Sequence, residues 1–184
     1  MEFLENTGLL LEALSFSAEK HRHQRRKDQA QSPYINHPIE VAHVLWKIGG
    51  VRDTDVLLAA LLHDTIEDTK TSPREILDLF GKDVLALVLE VTDDKSLPKE
   101  ERKRLQVKNA AHKSTGAKLI KLADKTCNVH DIAISPPANW SLERCREYLL
   151  WTEQVVAGLR GTNAALEANY DRELAKGKSL LGML

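Results

Sequence analysis

The feature that most constrains the fold is a run of seven apolar residues, 56–62, with no polar residue among them. Asp53 or Thr54 can cap a helix at its start, because a side-chain oxygen there accepts a hydrogen bond from a free backbone N–H group. A helix that is apolar on every side has no face to turn toward water. We therefore expect this helix at the centre of the molecule, with the rest of the chain packed around it.

Elsewhere the apolar residues recur every three or four positions, which is typical of amphipathic helices. No run alternates convincingly between apolar and polar residues, as a half-buried strand would. The sequence therefore predicts an all-α fold, a helical bundle of roughly eight to ten short helices. The first helix is expected to continue past His21. Breaks are predicted at Gly49–Gly50, Gly81 and Pro136–Pro137, and helix starts at Leu9, Pro38, the capping box Ser72–Glu75, Pro98, Ala117, Ser141 and Thr162.

Length, charge and cysteine content narrow the class of protein. The 184 residues fit a single domain, and 26 basic against 27 acidic residues leave a formal net charge of −1, which argues against a nucleic-acid partner. No apolar run approaches a membrane span, and the acidic start does not have the pattern of a secretory signal. Cys127 and Cys145 are too far apart in sequence for a Cys-x-x-Cys site. We therefore expect a cytoplasmic protein with free thiols and no membrane contact.

The stretch His63–Asp68 continues the apolar helix with one imidazole and three carboxylates. Residues four apart share a ridge of a helix, so His63 would lie beside Glu67 and Asp64 beside Asp68. Burying a carboxylate is costly unless a cation pairs with it, and this helix contains neither Lys nor Arg. A divalent metal ion is the simplest compensation. The alternative is that the helix ends near Leu62 and that the acidic cluster is solvated.

Two distant residues strengthen the metal hypothesis. His37 precedes a helix start within Tyr34-Ile35-Asn36-His37-Pro38, and Asp124 interrupts an apolar helical stripe. Taken singly, the histidine is explained as a capping or surface residue and the aspartate as the partner of a neighbouring lysine. Together with His63 and Asp64 they form a set of two imidazoles and two carboxylates, which suits Mn²⁺, Fe²⁺ or Zn²⁺.

These segments together resemble the HD-superfamily metal phosphohydrolases, and among them the hydrolase domain of RelA/SpoT proteins. The resemblance extends from about Leu9 to Gly161, so residues 1–184 would form one HD hydrolase domain with a helical tail over 162–184. The short form is similar to the metazoan SpoT-homologue group of small alarmone hydrolases. The strings that carry the resemblance are 24–27 (QRRK), 33–38 (PYINHP), 63–69 (HDTIEDT), 91–95 (VTDDK), 101–106 (ERKRLQ) and 121–125 (KLADK).

The resemblance implies a metal site and a reaction. His37, His63, Asp64 and Asp124 would bind one Mn²⁺ ion, with Fe²⁺ or Zn²⁺ as alternatives. The substrate would be an alarmone, guanosine tetra- or pentaphosphate, which loses pyrophosphate from its 3′ position. The partner of the protein would therefore be a small molecule, a guanosine nucleotide.

The resemblance also assigns roles to five further residues. Glu67 and Asp68 would be the catalytic pair, Arg26 and Lys27 would hold the guanosine moiety, and Asn128 would contact the substrate near the ribose. Two other functions stay open: removal of the 2′-phosphate of NADPH, and a catalytically silent alarmone sensor. A silent domain would be expected to lose ligands or the acidic pair, and this chain has lost neither. The oligomeric state is left open, a homodimer being one option.

Two positions depart from the family pattern. Cys127 stands where close relatives carry an aromatic residue, and His130 stands where an arginine is expected. These differences put the geometry of the base pocket in question. The remaining histidines, His21 among them, are expected to be surface or core residues without a role in the site.

Overall fold

The structure, a computed structural model, describes residues 2–183, with side chains from Glu5 onward. These residues form nine α-helices, one 3₁₀ turn (Ala110–His112) and no strand, apart from an isolated bridge between Arg25 and Pro33. The predicted all-α bundle is therefore confirmed. The helices are α1 (Glu2–Lys20), α2 (Asn36–Lys47), α3 (Thr54–Leu62), α4 (Thr65–Asp68), α5 (Pro73–Val91), α6 (Lys99–Asn109), α7 (Thr115–Ile134), α8 (Leu142–Ala157) and α9 (Ala164–Leu180).

Helix α3 is the buried centre that its sequence predicts. Every residue of the run 56–62 is buried, and α1, α2, α5 and α7 all pack against this helix. Asp53 is its N-cap, and the Asp53 carboxylate accepts hydrogen bonds from the backbone N–H groups of Asp55 and Val56. The central position matters for function because the polar stretch that follows α3 is held between the surrounding helices.

Helix α7 is the second long element of the core, and it lies between the central helices and α9. Helix α9 approaches closely at Gly177, where a Cβ atom would lie 3.2 Å from Leu149 Cδ1 of α8 and 3.5 Å from Ala133 Cβ of α7. Tyr170 of α9 is fully buried, and its hydroxyl is 2.9 Å from Thr152 Oγ1. The middle of α7 is thereby enclosed, and this is where Asp124 lies.

Helix boundaries differ from the sequence prediction at three main points. Helix α1 begins at Glu2 rather than at Leu9. Helix α1 ends at Lys20, because His21 begins a turn in which its carbonyl accepts the N–H of Gln24. Helix α3 ends at Leu62 and α4 starts at Thr65, so the apolar helix does not continue through the acidic stretch. The predicted break at Gly81 is present as a kink within α5, because this residue has a φ of +86°, outside the helical region. No described helix combines the length and the apolar character needed to cross a membrane.

Candidate metal centre

Three of the four predicted ligands lie within one buried cluster. His37 comes from the first turn of α2, His63 follows α3, and Asp124 comes from the middle of α7. One ligand atom of each lies within 4.8 Å of those of the other two. Asp124 Oδ1 is 3.1 Å from His37 Nε2 and 4.0 Å from His63 Nε2. Residues that are remote in the chain therefore converge on one point.

Asp64, the fourth predicted ligand, lies at the edge of this cluster. Its Oδ2 atom is 3.1 Å from His63 Nε2 and 3.9 Å from His37 Nε2. The hydroxyl of Tyr34 donates a hydrogen bond of 2.6 Å to the same oxygen. Asp64 is the residue before α4, so the turn that interrupts the helix also directs this carboxylate toward the two imidazoles.

The tautomer of His63 suits a metal ligand. Its Nδ1 atom is 2.8 Å from the carbonyl oxygen of Ala60, and because a carbonyl only accepts, Nδ1 carries the proton. In the neutral ring Nε2 then keeps a lone pair, and this buried atom has no hydrogen-bond partner among the described residues. The lone pair faces the carboxylates of Asp64 and Asp124. Such an arrangement is repulsive unless a proton or a metal cation lies between them.

The electrostatics of the cluster indicate the same need for a cation. Burial opposes the charged form of His63, but the carboxylates of Asp64 and Asp124 outweigh it and raise the pKa of His63 to about 9. Burial also favours the neutral acids, yet the neighbouring imidazoles hold the pKa of Asp64 below its usual range. Two nitrogen and two oxygen donors around a site of this kind fit Mn²⁺, Fe²⁺ or Zn²⁺.

Asp124 has both the lysine partner and the ligand geometry that the sequence left as alternatives. The buried ammonium of Lys125 lies 2.9 Å from Asp124 Oδ2. Asn128 donates a hydrogen bond of 2.6 Å from Nδ2 to Asp124 Oδ1, the oxygen that faces His37. Lys125, on the other oxygen, fixes the carboxylate without blocking its approach to the imidazoles.

Glu67 and Asp68 lie next to the cluster on α4 and are paired with a cation from another element. Lys95, in the loop between α5 and α6, lies 2.6 Å from Asp68 Oδ1 and 3.5 Å from Glu67 Oε1. The N–H of Asp93 donates to Glu67 Oε2 over 3.0 Å, and burial raises the pKa of Glu67. Lys95 belongs to the string 91–95 that supports the resemblance, but it had no predicted role, because nothing in helical spacing relates a loop residue to α4.

A cavity of about 530 Å³ adjoins the centre and contains the predicted substrate residues. Arg26, Lys27 and Asn128 line it, together with His37 and Asp68. One predicted ligand and one member of the predicted catalytic pair therefore share this space with the predicted substrate residues, whereas His63, Asp64, Asp124 and Glu67 do not line it. Several other lining residues had no role predicted from the sequence, among them Tyr34, Asp131, Trp140 and Tyr148.

Arg26 is held in place at one wall of this cavity. Its guanidinium forms an ion pair with Asp131 and lies 5.8 Å from the ring centroid of Tyr34. A planar guanidinium between a carboxylate and an aromatic ring presents a fixed face, which is suited to stacking on a flat base.

The two departures from the family pattern lie elsewhere. Cys127 and His130 line a separate cavity of about 200 Å³. Burial raises the pKa of the Cys127 thiol, and His130 Nδ1 is 2.9 Å from Glu173 Oε2. Neither residue lines the larger cavity, so their influence on a bound substrate is indirect.

Comparison with known proteins places the fold and the sequence among characterised relatives. Residues 13–147 match the HD domain family. The chain is 56% identical over 166 residues, 90% of this chain and 93% of the relative, to guanosine-3′,5′-bis(diphosphate) 3′-pyrophosphohydrolase MESH1 of Xenopus tropicalis. It is 58% identical over 158 residues, 86% and 88% of the two chains, to the Homo sapiens protein of the same name.

A solved structure is also similar to this chain in fold and in sequence. It is described as a metazoan orthologue of SpoT that hydrolyses ppGpp and plays a role in starvation responses. It matches this fold with a TM-score of 0.90 at 49% sequence identity, covering 96% of this chain and 97% of the other.

Proposed function

The chain belongs to the HD-domain family, in the RelA/SpoT-type metazoan SpoT-homologue group, and we propose that it is a Mn²⁺-dependent guanosine-3′,5′-bis(diphosphate) 3′-pyrophosphohydrolase. The reaction would convert this alarmone, ppGpp, into GDP and pyrophosphate. The observation that carries the proposal is the convergence of His37, His63 and Asp124 beside an acidic pair and a nucleotide-sized cavity.

We assign the metal site to His37, His63, Asp64 and Asp124. Two carboxylates balance the charge of a divalent ion, so the loaded site is close to neutral and accepts an anionic phosphate. When bound, a divalent ion polarises a phosphorus–oxygen bond and acidifies a water molecule. Tyr34 and Lys125 hold the two carboxylates in position, since each forms a hydrogen bond to one of them.

Glu67 and Asp68 orient the attacking water and accept its proton in this proposal. General-base assistance of this kind contributes roughly 10²–10⁴-fold to a rate. Burial raises the pKa of Glu67, which makes its carboxylate a better proton acceptor. Lys95 lies across both carboxylates and keeps the pair in one place.

The cavity offers cations to a guanosine polyphosphate from one segment of its wall, Arg25 to Lys27, although acidic residues (Asp28, Glu40, Asp68 and Asp131) also line it. Arg26 and Lys27 line its wall. Beyond the lining residues, burial lowers the pKa of Lys99, and the charges of Arg144, Lys103 and Lys27 lower it further, so Lys27 belongs to a wider group of cations. Such a group of cations is stabilised by an anion with several phosphates.

The test is incubation of the purified chain and Mn²⁺ with ppGpp, followed by separation of the products. We expect GDP and pyrophosphate in equal amounts. Glu67→Gln is the matched control, which should retain Mn²⁺ but lose most of the rate. Release of inorganic phosphate alone, or no release, would contradict the proposal. NADPH is assayed in parallel, and faster release of its 2′-phosphate would favour the NADPH phosphatase instead.

A further inference from the structure

A buried histidine outside the metal centre connects to two carboxylates of the site. His21 lies in the turn after α1, and 2% of its surface is exposed. Its Nδ1 atom is 2.6 Å from Oε1 of Gln24. Its ring lies against that of Tyr34, with centroids 4.8 Å apart and planes 31° apart. The sequence alone predicts no role for this residue.

The first connection runs through Gln24 to the acidic pair. An amide oxygen only accepts hydrogen bonds, so His21 Nδ1–H is the donor to Gln24 Oε1. This contact turns the amide nitrogen of Gln24 toward Asp68, where it donates to Oδ2 over 3.0 Å. In the reverse orientation an amide oxygen would face the carboxylate and repel it. One amide orientation therefore serves both contacts, with Oε1 accepting from His21 and Nε2 donating to Asp68.

The second connection runs through Tyr34 to the metal centre. The Tyr34 hydroxyl donates to Asp64 Oδ2 over 2.6 Å, and the ring that carries this hydroxyl packs on His21. The N–H of Tyr34 donates to the carbonyl of Gln24, which joins the turn to the loop. The position of the hydroxyl therefore depends on the packing of the His21 ring.

The chemistry of His21 argues against a purely space-filling role. Its Nε2 atom is buried and has no hydrogen-bond partner among the described residues. A buried polar atom without a partner is unfavourable, and an apolar ring would fill the same space without that cost. The imidazole is explained by its other nitrogen, which supplies the donor that Gln24 requires.

We propose that His21 is a positioning residue of the active site. Through Gln24 it holds Asp68, and through Tyr34 it holds Asp64. The inference rests on the proposed function, because that function assigns the two carboxylates to catalysis and to metal binding.

Two substitutions separate the connections. His21→Phe keeps a ring against Tyr34 but removes the donor to Gln24, so we expect kcat to fall about tenfold while Mn²⁺ affinity changes by less than about twofold. His21→Asn places an amide nitrogen where Nδ1 lies but removes the ring. We expect it to weaken Mn²⁺ binding several-fold, measured by equilibrium dialysis, and to leave kcat at saturating Mn²⁺ close to that of the unchanged chain.

Gln24→Met gives a second arm, since Gln24 is only half-buried and the variant should fold. Its kcat should fall as far as that of His21→Phe, and the double variant should lose no more, because both changes break one connection. Ser17→Ala is the matched control. Ser17 is buried one turn earlier on α1 and its Oγ also lacks a described partner, so kcat and Mn²⁺ affinity should stay unchanged.

Opposite results would overturn the inference. Equal changes in kcat and Mn²⁺ affinity in both His21 variants, in step with lower melting temperatures, would show that His21 only supports the fold. If the reductions in kcat multiply in the double variant, His21 and Gln24 act independently and the connection between them is refuted. Failure of the proposed function looks different: the unchanged chain binds Mn²⁺ but releases no pyrophosphate. In that case the Mn²⁺ affinities still test the connection through Tyr34. Weaker Mn²⁺ binding in His21→Asn but not in His21→Phe supports this connection, and equal Mn²⁺ binding in the two variants overturns it.

Discussion

The contact between Lys125 and Asp124 shows that two explanations for Asp124, which the sequence presented as alternatives, hold together. A lysine partner was the ordinary explanation for Asp124, and metal ligation was the functional one. The structure contains the lysine contact on Oδ2 and directs Oδ1 toward His37. A carboxylate has two oxygens with two lone pairs each, so Lys125 can anchor Oδ2 while Oδ1, which accepts from Asn128, keeps a second lone pair. Sequence spacing cannot separate these cases, because it gives no orientation of the side chain.

Substitution of Lys125 by Met tests the anchoring role. The variant leaves the buried charge of Asp124 without its cation, and removing one member of a buried pair costs about 3–5 kcal/mol of unfolding free energy. We expect this loss of unfolding free energy when chemical denaturation is measured with a chelator present. The loss should be smaller with Mn²⁺ present, because the bound cation replaces the missing positive charge. Lys70→Met, at an exposed position, is the control. An unchanged free energy of unfolding would refute the anchoring role.

Substitution of Asp64 by Ala tests the ligand that lies at the edge of the cluster. We expect the variant to lose both bound metal and hydrolysis, since one of two charge-balancing carboxylates is gone. Metal content is measured by elemental analysis after dialysis. Asp78→Ala, an exposed residue paired with Arg74, should retain both properties. Full metal content in the Asp64 variant would show that the ligand assignment is wrong.

The pKa of His63 predicts how Mn²⁺ binding depends on pH. In the metal-free fold this pKa is raised from 6.5 to about 9, so the charged imidazole stabilises that fold below 6.5 and the contribution is lost as pH rises through 9. Mn²⁺ must displace this proton, so its apparent affinity should rise by up to about tenfold per pH unit toward pH 9. Activity and metal content should fall together on acidification. Equilibrium dialysis across this range measures the slope, and a flat profile would contradict the prediction.

At the scale of elements, regular patterns and breaks at glycine or proline were predictable, whereas the end of α3 was not. The seven apolar residues of α3 and the capping box of α5 have local physical signatures, and both lie where the sequence predicts them. The end of α3 at Leu62 has none, because its cause is tertiary. His63 and Asp64 turn toward ligands contributed by α2 and α7, and the backbone leaves the helix to place them. Asp64 and Asp68 are nevertheless one helical turn apart, as predicted, since the N–H of Asp68 donates to the carbonyl of Asp64.

The α5–α6 loop supplies a contact that belongs to the active site. Lys95 bridges Glu67 and Asp68, but its side chain is 49% exposed, so solvent screens much of the charge interaction. We expect Lys95→Met to lower kcat about tenfold through loss of a hydrogen bond to a charged group, and Lys95→Arg to recover most of the rate. Lys82→Met, an exposed residue of α5, should have no effect. An unchanged kcat in Lys95→Met would show that Lys95 has no role in the reaction.

At the scale of the whole molecule, the sequence predicted which residues would meet but not what else surrounds them. His37, His63 and Asp124 were found from their residue types and from a family resemblance, and the structure brings them together. Tyr34 and Lys95 have no local signal, because their contacts cross 30 and 27 residues of chain. Helix α9 packs along α7 and buries Tyr170, which supports our proposal that residues 162–184 belong to the same domain.

The four proposed ligands lie on α2, on α7 and in the turn between α3 and α4, so metal binding should act as a cross-link within the fold. At a hundredfold excess over its Kd, Mn²⁺ should stabilise the folded state by about 2.7 kcal/mol. Hydrogen exchange read by mass spectrometry should show the gain in peptides covering 34–41, 62–69 and 121–128, which hold the proposed ligands. Peptides within α9 should change little, because α9 contributes no ligand. The Asp64→Ala variant should show no Mn²⁺ response anywhere. Equal protection of all helices, or none, would mean that the four residues do not share one ion.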